Sequence, residues 1–155
     1  MQDLYVGYRY YDFNPSQCRF PFGHGLSYTT FELSNLTVTR PKPYDAEFSV
    51  SVEIANTGDL AGAEVVQVYI QDLVSSLPRP YKELKGIRRV HLQPGEIKSV
   101  TLDLDKRALG FWDEADGGSW RAEEGDFAVL VGTSSANVPL QKVFALDSVI
   151  SWRGL

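Results

Sequence analysis

A single cysteine, Cys18, stands in 155 residues, so no internal disulfide can form, and no CxxC or Cys/His spacing points to zinc. Histidine is nearly as scarce. His24 and His91 lie far apart in the chain, which leaves histidine-based metal or nucleophile chemistry poorly supplied. An excess of positive charge is also missing. With Lys+Arg at 15 and Asp+Glu at 20 the formal charge is -5, which argues against nucleic acid or an anionic membrane as partner, since both need a concentrated basic surface. No run approaches the ~20 apolar residues of a membrane span. The opening MQDLYVGYRYYD carries neither a basic n-region nor an apolar h-region, so it does not read as a signal peptide. Helical periodicity is absent as well: no segment longer than eight residues repeats its apolar positions every 3.6.

What is present is strand pattern and turn chemistry. At 43% hydrophobic and 23% charged residues the composition is that of a globular domain, long enough to bury a core without disulfides or metal. FELSNLTVTR alternates Phe31, Leu33, Leu36 and Val38, with a phase slip at Ser34-Asn35 that predicts a bulge; PKPY then breaks the chain. AEFSVSVEIANTG puts Phe48, Val50, Val52 and Ile54 on one face, and ends in a turn at Asn56-Thr57-Gly58-Asp59. In AEVVQVYIQD both faces are largely apolar, which suits a covered strand in the middle of a sheet. A proline-marked loop, SSLPRPY, precedes KELKGIRRVHL, a weaker strand pair or ribbon whose Lys82, Lys85, Arg88 and Arg89 read as a solvated face. QPGE is a turn with Pro94 and Gly95 at its centre, and IKSVTLDLD alternates again. Strands are expected near 109–113, 119–122 and 126–132, with a short strand and a tail to close. About seven short antiparallel strands with turns between them define an all-β sandwich over residues 31–155, immunoglobulin-like in architecture; without a Cys–Trp–Cys pattern, fibronectin type III-like is the better description.

Residues 1–30 do not share this pattern. They form an irregular, aromatic-rich connector in which Tyr5, Tyr8, Tyr10, Tyr11 and Phe13 are too many large side chains for a wet tail. Burying each stabilises by roughly 1.5–3 kcal/mol, so the segment implies a docking surface, on this sandwich or on another domain.

Few residues suggest chemistry. His24 and Ser27 lack a third orienting group and a nucleophile elbow, so a histidine hydrogen-bonded in an interface is the better reading. Gly23 and Gly25 flank His24 without the lysine or third glycine of a phosphate cradle, and more simply supply positive φ or close backbone approach. DEADGG and EEGD could offer oxygen ligands to calcium, but they lack the spacing of a calcium loop and read as solvated turns. No metal or cofactor is expected. Tyr81, Trp112, Trp120 and Trp152 are the candidates for stacking against sugar rings, with core or interface packing as the commoner role of such side chains. Asn35-Leu36-Thr37 is a sequon, which makes Asn35 a candidate N-glycan acceptor without proving secretion.

Five blocks, VGYRYYD, FPFGHGLSYTTF, YKELKGIRRVHLQPGE, LGFWDE and GDFAVLVGTSS, occur in an order that closely resembles the C-terminal part of glycoside hydrolase family 3 β-glucosidases. The resemblance covers essentially the whole chain. It implies a parent enzyme in which a (β/α)8-type barrel supplies a nucleophilic aspartate in a Ser-Asp-Trp type motif and an α/β sandwich supplies the acid/base glutamate. No Ser-Asp-Trp string occurs here, and 155 residues cannot hold a barrel of ~250 residues, so no catalytic residue carries over. The resemblance implies instead a non-catalytic accessory domain whose connector ends the α/β sandwich. Phe20, Pro21, Phe22, Gly23, His24, Gly25, Leu26, Tyr28 and Phe31 would then form a strap between domains. Partners would be the barrel and α/β sandwich of the same enzyme, with an oligomer interface as an extension. The alternative is a module that binds polysaccharide or lignin through surface aromatics. An extracellular setting is the favoured compartment.

Overall fold

The computed structural model describes residues 4–40 and 47–154; the PKPY break lies outside them. Alternation dictates the strands. In β2 (Phe48–Asn56), Phe48, Val50, Val52 and Ile54 are at most 2% exposed while the residues between them are only partly covered. This strand lies between β1 (Phe31–Thr39) and β5 (Ile97–Leu104) in an antiparallel three-stranded sheet. The bulge expected in β1 is there: the register slips between Ser34 and Thr37, and Asn35 takes a φ of 54°.

The facing sheet has four strands in the order β4 (Glu83–Leu92), β3 (Gly62–Asp72), β8 (Gly125–Gly132) and β9 (Leu140–Leu146), again antiparallel. The region expected as a weak strand pair is one continuous strand, β4. Val66, Val68 and Ile70 of β3 and Phe127, Val129 and Val131 of β8 meet the inner face of β2, with Leu92, Leu102 and Leu146 completing the core. The turn at Gln93 closes as anticipated, Glu96 N–H donating to Gln93 O at 3.0 Å.

Three further strands flank the sandwich: β6 (Phe111–Asp113), β7 (Ser119–Ala122) and β10 (Ile150–Trp152), in the order β10-β7-β6. The closing segment, expected as one short strand and a tail, therefore contains two strands, because Ile150, Ser151 and Trp152 pair with Ala122, Arg121 and Trp120. The sandwich proper holds seven strands, as expected; the flank raises the number to ten among the described residues. Among the described residues helix amounts to two 3-10 turns, Pro15–Gln17 and Ala115–Gly117, and two α-helical turns, α1 (Tyr8–Tyr11) and α2 (Lys106–Leu109), the last capped by the Asp105 carboxylate, which accepts from Arg107 N–H at 2.9 Å.

Candidate functional site

The connector packs back on its own sandwich and is held there at several points. The Tyr8 hydroxyl accepts from Leu84 N–H at 2.8 Å, and its ring meets Tyr69 edge-on at 5.7 Å and Phe22 at the same centroid distance. This explains why β3 is apolar on both faces: Gln67 and Tyr69, on the outer face, are covered by the connector and are 3% and 0% exposed. Burial foremost, then the neighbouring Tyr8 and the Asp12 charge, pushes the Tyr69 phenol far above its ordinary range. The hydroxyl stays protonated and donates to Gln67 Oε1, while Gln67 Nε2 donates to Thr133 O at 3.0 Å.

Asp12, just past α1, forms an ion pair with Lys82, and Arg9 pairs with Glu83 at 3.1 Å. These contacts correct the reading of the basic cluster. Arg88 and Arg89 are solvated, but Lys82 is 3% exposed, with its ammonium over the Tyr69 and Tyr81 rings at 5.6 and 5.4 Å. Lys85 is drawn in too, because it is the extra residue of a bulge: Val68 pairs with Gly86 but Tyr69 with Leu84. The connector's carboxylate and Glu83 supply the counter-charge that a solvated face would not need.

Further along, the strap is held by hydrogen bonds of both its backbone and its side chains. Ser135 N–H donates to Phe22 O at 2.9 Å, and Gly23, with a φ of 82°, lies against the Gln67 side chain where a Cβ would not fit. Thr29 Oγ1 donates at 2.6 Å to Asn56 Oδ1, and the buried Asn56 amide also donates to Leu60 O and Leu92 O. Around these fixed points large side chains stay exposed, although Phe22 keeps its contact with Tyr8. Phe20 is 71% exposed, Phe22 51%, Leu26 96% and Tyr28 95%. Phe31 differs from them: it begins β1 and packs on the sandwich core. Pro21 accepts from His24 N–H in a tight turn, and the exposed His24 ring stacks on Phe20 at 5.5 Å, not in a hydrogen-bonded interface within this chain. Gly25 meets nothing within 4 Å, so the close-approach role expected of both strap glycines belongs to Gly23.

A second feature lies on the flank. Trp112, Trp120 and Trp152 form one cross-strand row, because Trp120 pairs with Trp112 on one side and Trp152 on the other. Trp112 meets Trp120 edge-on at 5.7 Å and 75°, and Trp120 is stacked on Trp152 at 6.3 Å and 14°. Gly110 leaves the room that the Trp152 ring occupies. The three indoles line a cleft of about 710 Å³ together with Tyr5 and Arg9 from the connector. Tyr81 is not among its lining residues. On the cleft wall, Arg79 donates to Asp72 at 2.9 Å and to Glu83 at 2.8 Å. Burial alone would raise the Glu83 carboxyl, but the Lys85 charge and the Arg79 hydrogen bond hold it below its usual range; burial also lowers Lys85, against the pull of Glu83. One carboxylate thus serves three cations.

Asp113 in the acidic-glycine loop accepts from Ala115 N–H and Arg121, and among the described residues no group of three or more His, Cys, Asp or Glu side chains could hold a metal ion.

Two packed antiparallel sheets of three and four strands are the architecture of a fibronectin type III-like sandwich, and the family profile described as "Fibronectin type III-like domain" matches residues 64–135. The chain is 44% identical to thermostable β-glucosidase B of Acetivibrio thermocellus over 98% of its own length and 20% of that protein. The crystal structure of a β-glucosidase from Kluyveromyces marxianus superposes with a TM-score of 0.89 at 48% identity, covering 99% of this chain and 18% of that one. A glycoside hydrolase family 3 β-glucosidase of Bifidobacterium adolescentis gives a TM-score of 0.86 at 40% identity, over 92% of this chain and 21% of that one. Residues 64–135 are thus a fibronectin type III-like domain, and nearly the whole chain is similar to part of the glycoside hydrolase family 3 β-glucosidases. The chain spans about a fifth of the length of the curated relatives it matches.

Proposed function

We propose that the chain serves a β-glucosidase, an enzyme releasing terminal β-D-glucosyl residues, as a non-catalytic C-terminal domain that stabilises the catalytic barrel and α/β sandwich. The observation that carries this reading is the strap, which is tied to the sandwich while Phe20, Leu26 and Tyr28 stand 71%, 96% and 95% exposed. A row of large apolar side chains held out on a fixed backbone is a preorganised surface for the rest of the parent. Tyr28→Ala should therefore cost a full-length β-glucosidase carrying this chain about 1.5–3 kcal/mol of stability. In the chain alone it should cost no more than about 0.5 kcal/mol. Parallel thermal melts of the two proteins check this. Equal losses in both, or no loss in the full-length enzyme, would remove the scaffold reading.

The tryptophan row favours a second reading, in which the flank holds a saccharide. Rings inclined at 75° make no flat platform for a polymer surface, but they line a cleft that a single soluble chain could enter. Titration of the chain with cello-oligosaccharides, followed by tryptophan fluorescence, should then saturate. Trp112→Ala should weaken binding by about two- to tenfold. Absence of saturation, or an unchanged affinity in that variant, counts against the cleft.

A further inference from the structure

The outer face of β1-β2-β5 is unlike the rest of the surface. Its rows read Thr37, Ser51 and Thr101, then Thr39, Ser49 and Asp103, with Ser34, Glu53 and Ser99 beyond them. Hydroxyls and carboxylates bond to one another across the strands, Ser49 to Asp103 at 2.6 Å and Ser51 with Thr101 at 2.8 Å. Asn35 stands on this face. The bulge makes Asn35 and Leu36 share the place opposite Val52, so Leu36 turns to the core while Asn35, at a φ of 54°, projects into solvent. An asparagine tolerates that conformation better than most residues.

We propose that Asn35 is an N-glycan acceptor. The residues around it supply what the modification needs: an exposed amide, and an exposed Thr37 hydroxyl two residues on. The chain's other Asn-x-Ser triplet, Asn14-Pro15-Ser16, is disqualified by its proline. In the transfer, Asn35 Nδ2 loses one proton and bonds to the anomeric carbon of a lipid-pyrophosphate-linked oligosaccharide. The bond from that carbon to the pyrophosphate oxygen breaks, and the lipid pyrophosphate leaves; nothing is oxidised or reduced. The substituted amide keeps one N–H, enough to preserve the bond that Nδ2 donates to Glu53 Oε2 at 2.6 Å. The glycan extends from the polar face, away from the connector on the opposite sheet, so it is compatible with docking through the strap.

The test is secretion of the full chain from a eukaryotic host, followed by peptide N-glycosidase and mass mapping of the folded, monomeric fraction. Expected is a single mobility step that the glycosidase removes, with Asn35 converted to Asp at the cleaved site. Thr37→Ser should keep the step and Thr37→Val, a strand-compatible change, should lose it. An unmodified Asn35 in the secreted wild-type chain, or a glycan confined to aggregated material, overturns the proposal. The wild-type mapping decides it even where a variant fails to fold.

Discussion

Replacing Asp12 with alanine is expected to destabilise the chain by about 3–5 kcal/mol, the cost typical of leaving one partner of a buried ion pair without the other. The side chains of Lys82 and Asp12 are 4% and 8% exposed, and Tyr69 and Tyr81 flank the ammonium. Aromatic faces attract a cation, at about 2 kcal/mol when desolvated, but they do not replace a carboxylate. With Asp12 gone, α1 would have to lift so that water could reach Lys82. That movement would sacrifice the Tyr8 bond to Leu84 and the Tyr8–Tyr69 contact. Thermal unfolding should register the loss at about 2–4 °C per kcal/mol for a chain of this size. Coupling Asp12→Ala with Lys82→Met should recover most of the stability, because replacing both charges by apolar groups is often near neutral. An equal loss in the single and double variants would show that the pair's electrostatics are not what holds the connector. The pair Arg107–Asp105 provides the contrast: it stands in solvent, so Arg107→Ala, which leaves the Asp105 cap in place, should barely move the thermal transition.

These contacts also separate what was legible in the sequence from what was not. Period-2 burial is local, so Phe48 to Ile54 could be read directly, and the two-sided apolarity of Val66 to Ile70 correctly marked a covered strand. What covers it could not be read, because Tyr8 reaches Tyr69 across sixty residues of chain and no local pattern records that approach. Lys82 and Lys85 were misjudged for the same reason: charge interleaved with apolar residues looks solvated until Asp12 and a bulge bring it inside. The tryptophans were recognised one by one. Their assembly depended on Ile150–Trp152 being a strand, and three residues are too few for alternation to declare one. The strap stood out through its composition. Its direction came only with the structure, which fixes the backbone and turns Leu26 and Tyr28 outward.

The glycine whose substitution should matter most lies outside the strap, in the block GDFAVLVGTSS. Gly132 ends β8 opposite Gln67, and a Cβ there would overlap the Asn137 carbonyl oxygen and come within 2.6 Å of Val138 Cα and 2.7 Å of Asn137 C. Those are backbone atoms, so no rotamer change can relieve the overlap. The turn must move instead. It is closed by Thr133 N–H donating to Asn137 O at 3.1 Å, and it carries both Thr133 O, which accepts from Gln67, and Ser135 N–H, which donates to the strap at Phe22 O. Overpacking of about 1–3 kcal/mol and the loss of two hydrogen bonds at about 0.5–1.5 kcal/mol each give an expected cost for Gly132→Ala of about 2–6 kcal/mol. Denaturant unfolding measures the cost, and amide hydrogen exchange at Ser135 identifies its route, since that amide should lose protection before the sandwich core does. Gly25→Ala, in the strap itself, should be within about 0.5 kcal/mol of wild type, because nothing lies within 4 Å of its added methyl. If Gly132→Ala left both stability and Ser135 exchange unchanged, the turn would have taken up the methyl without giving up its bond to Phe22 O, and the overlap argued for Gly132 would be wrong.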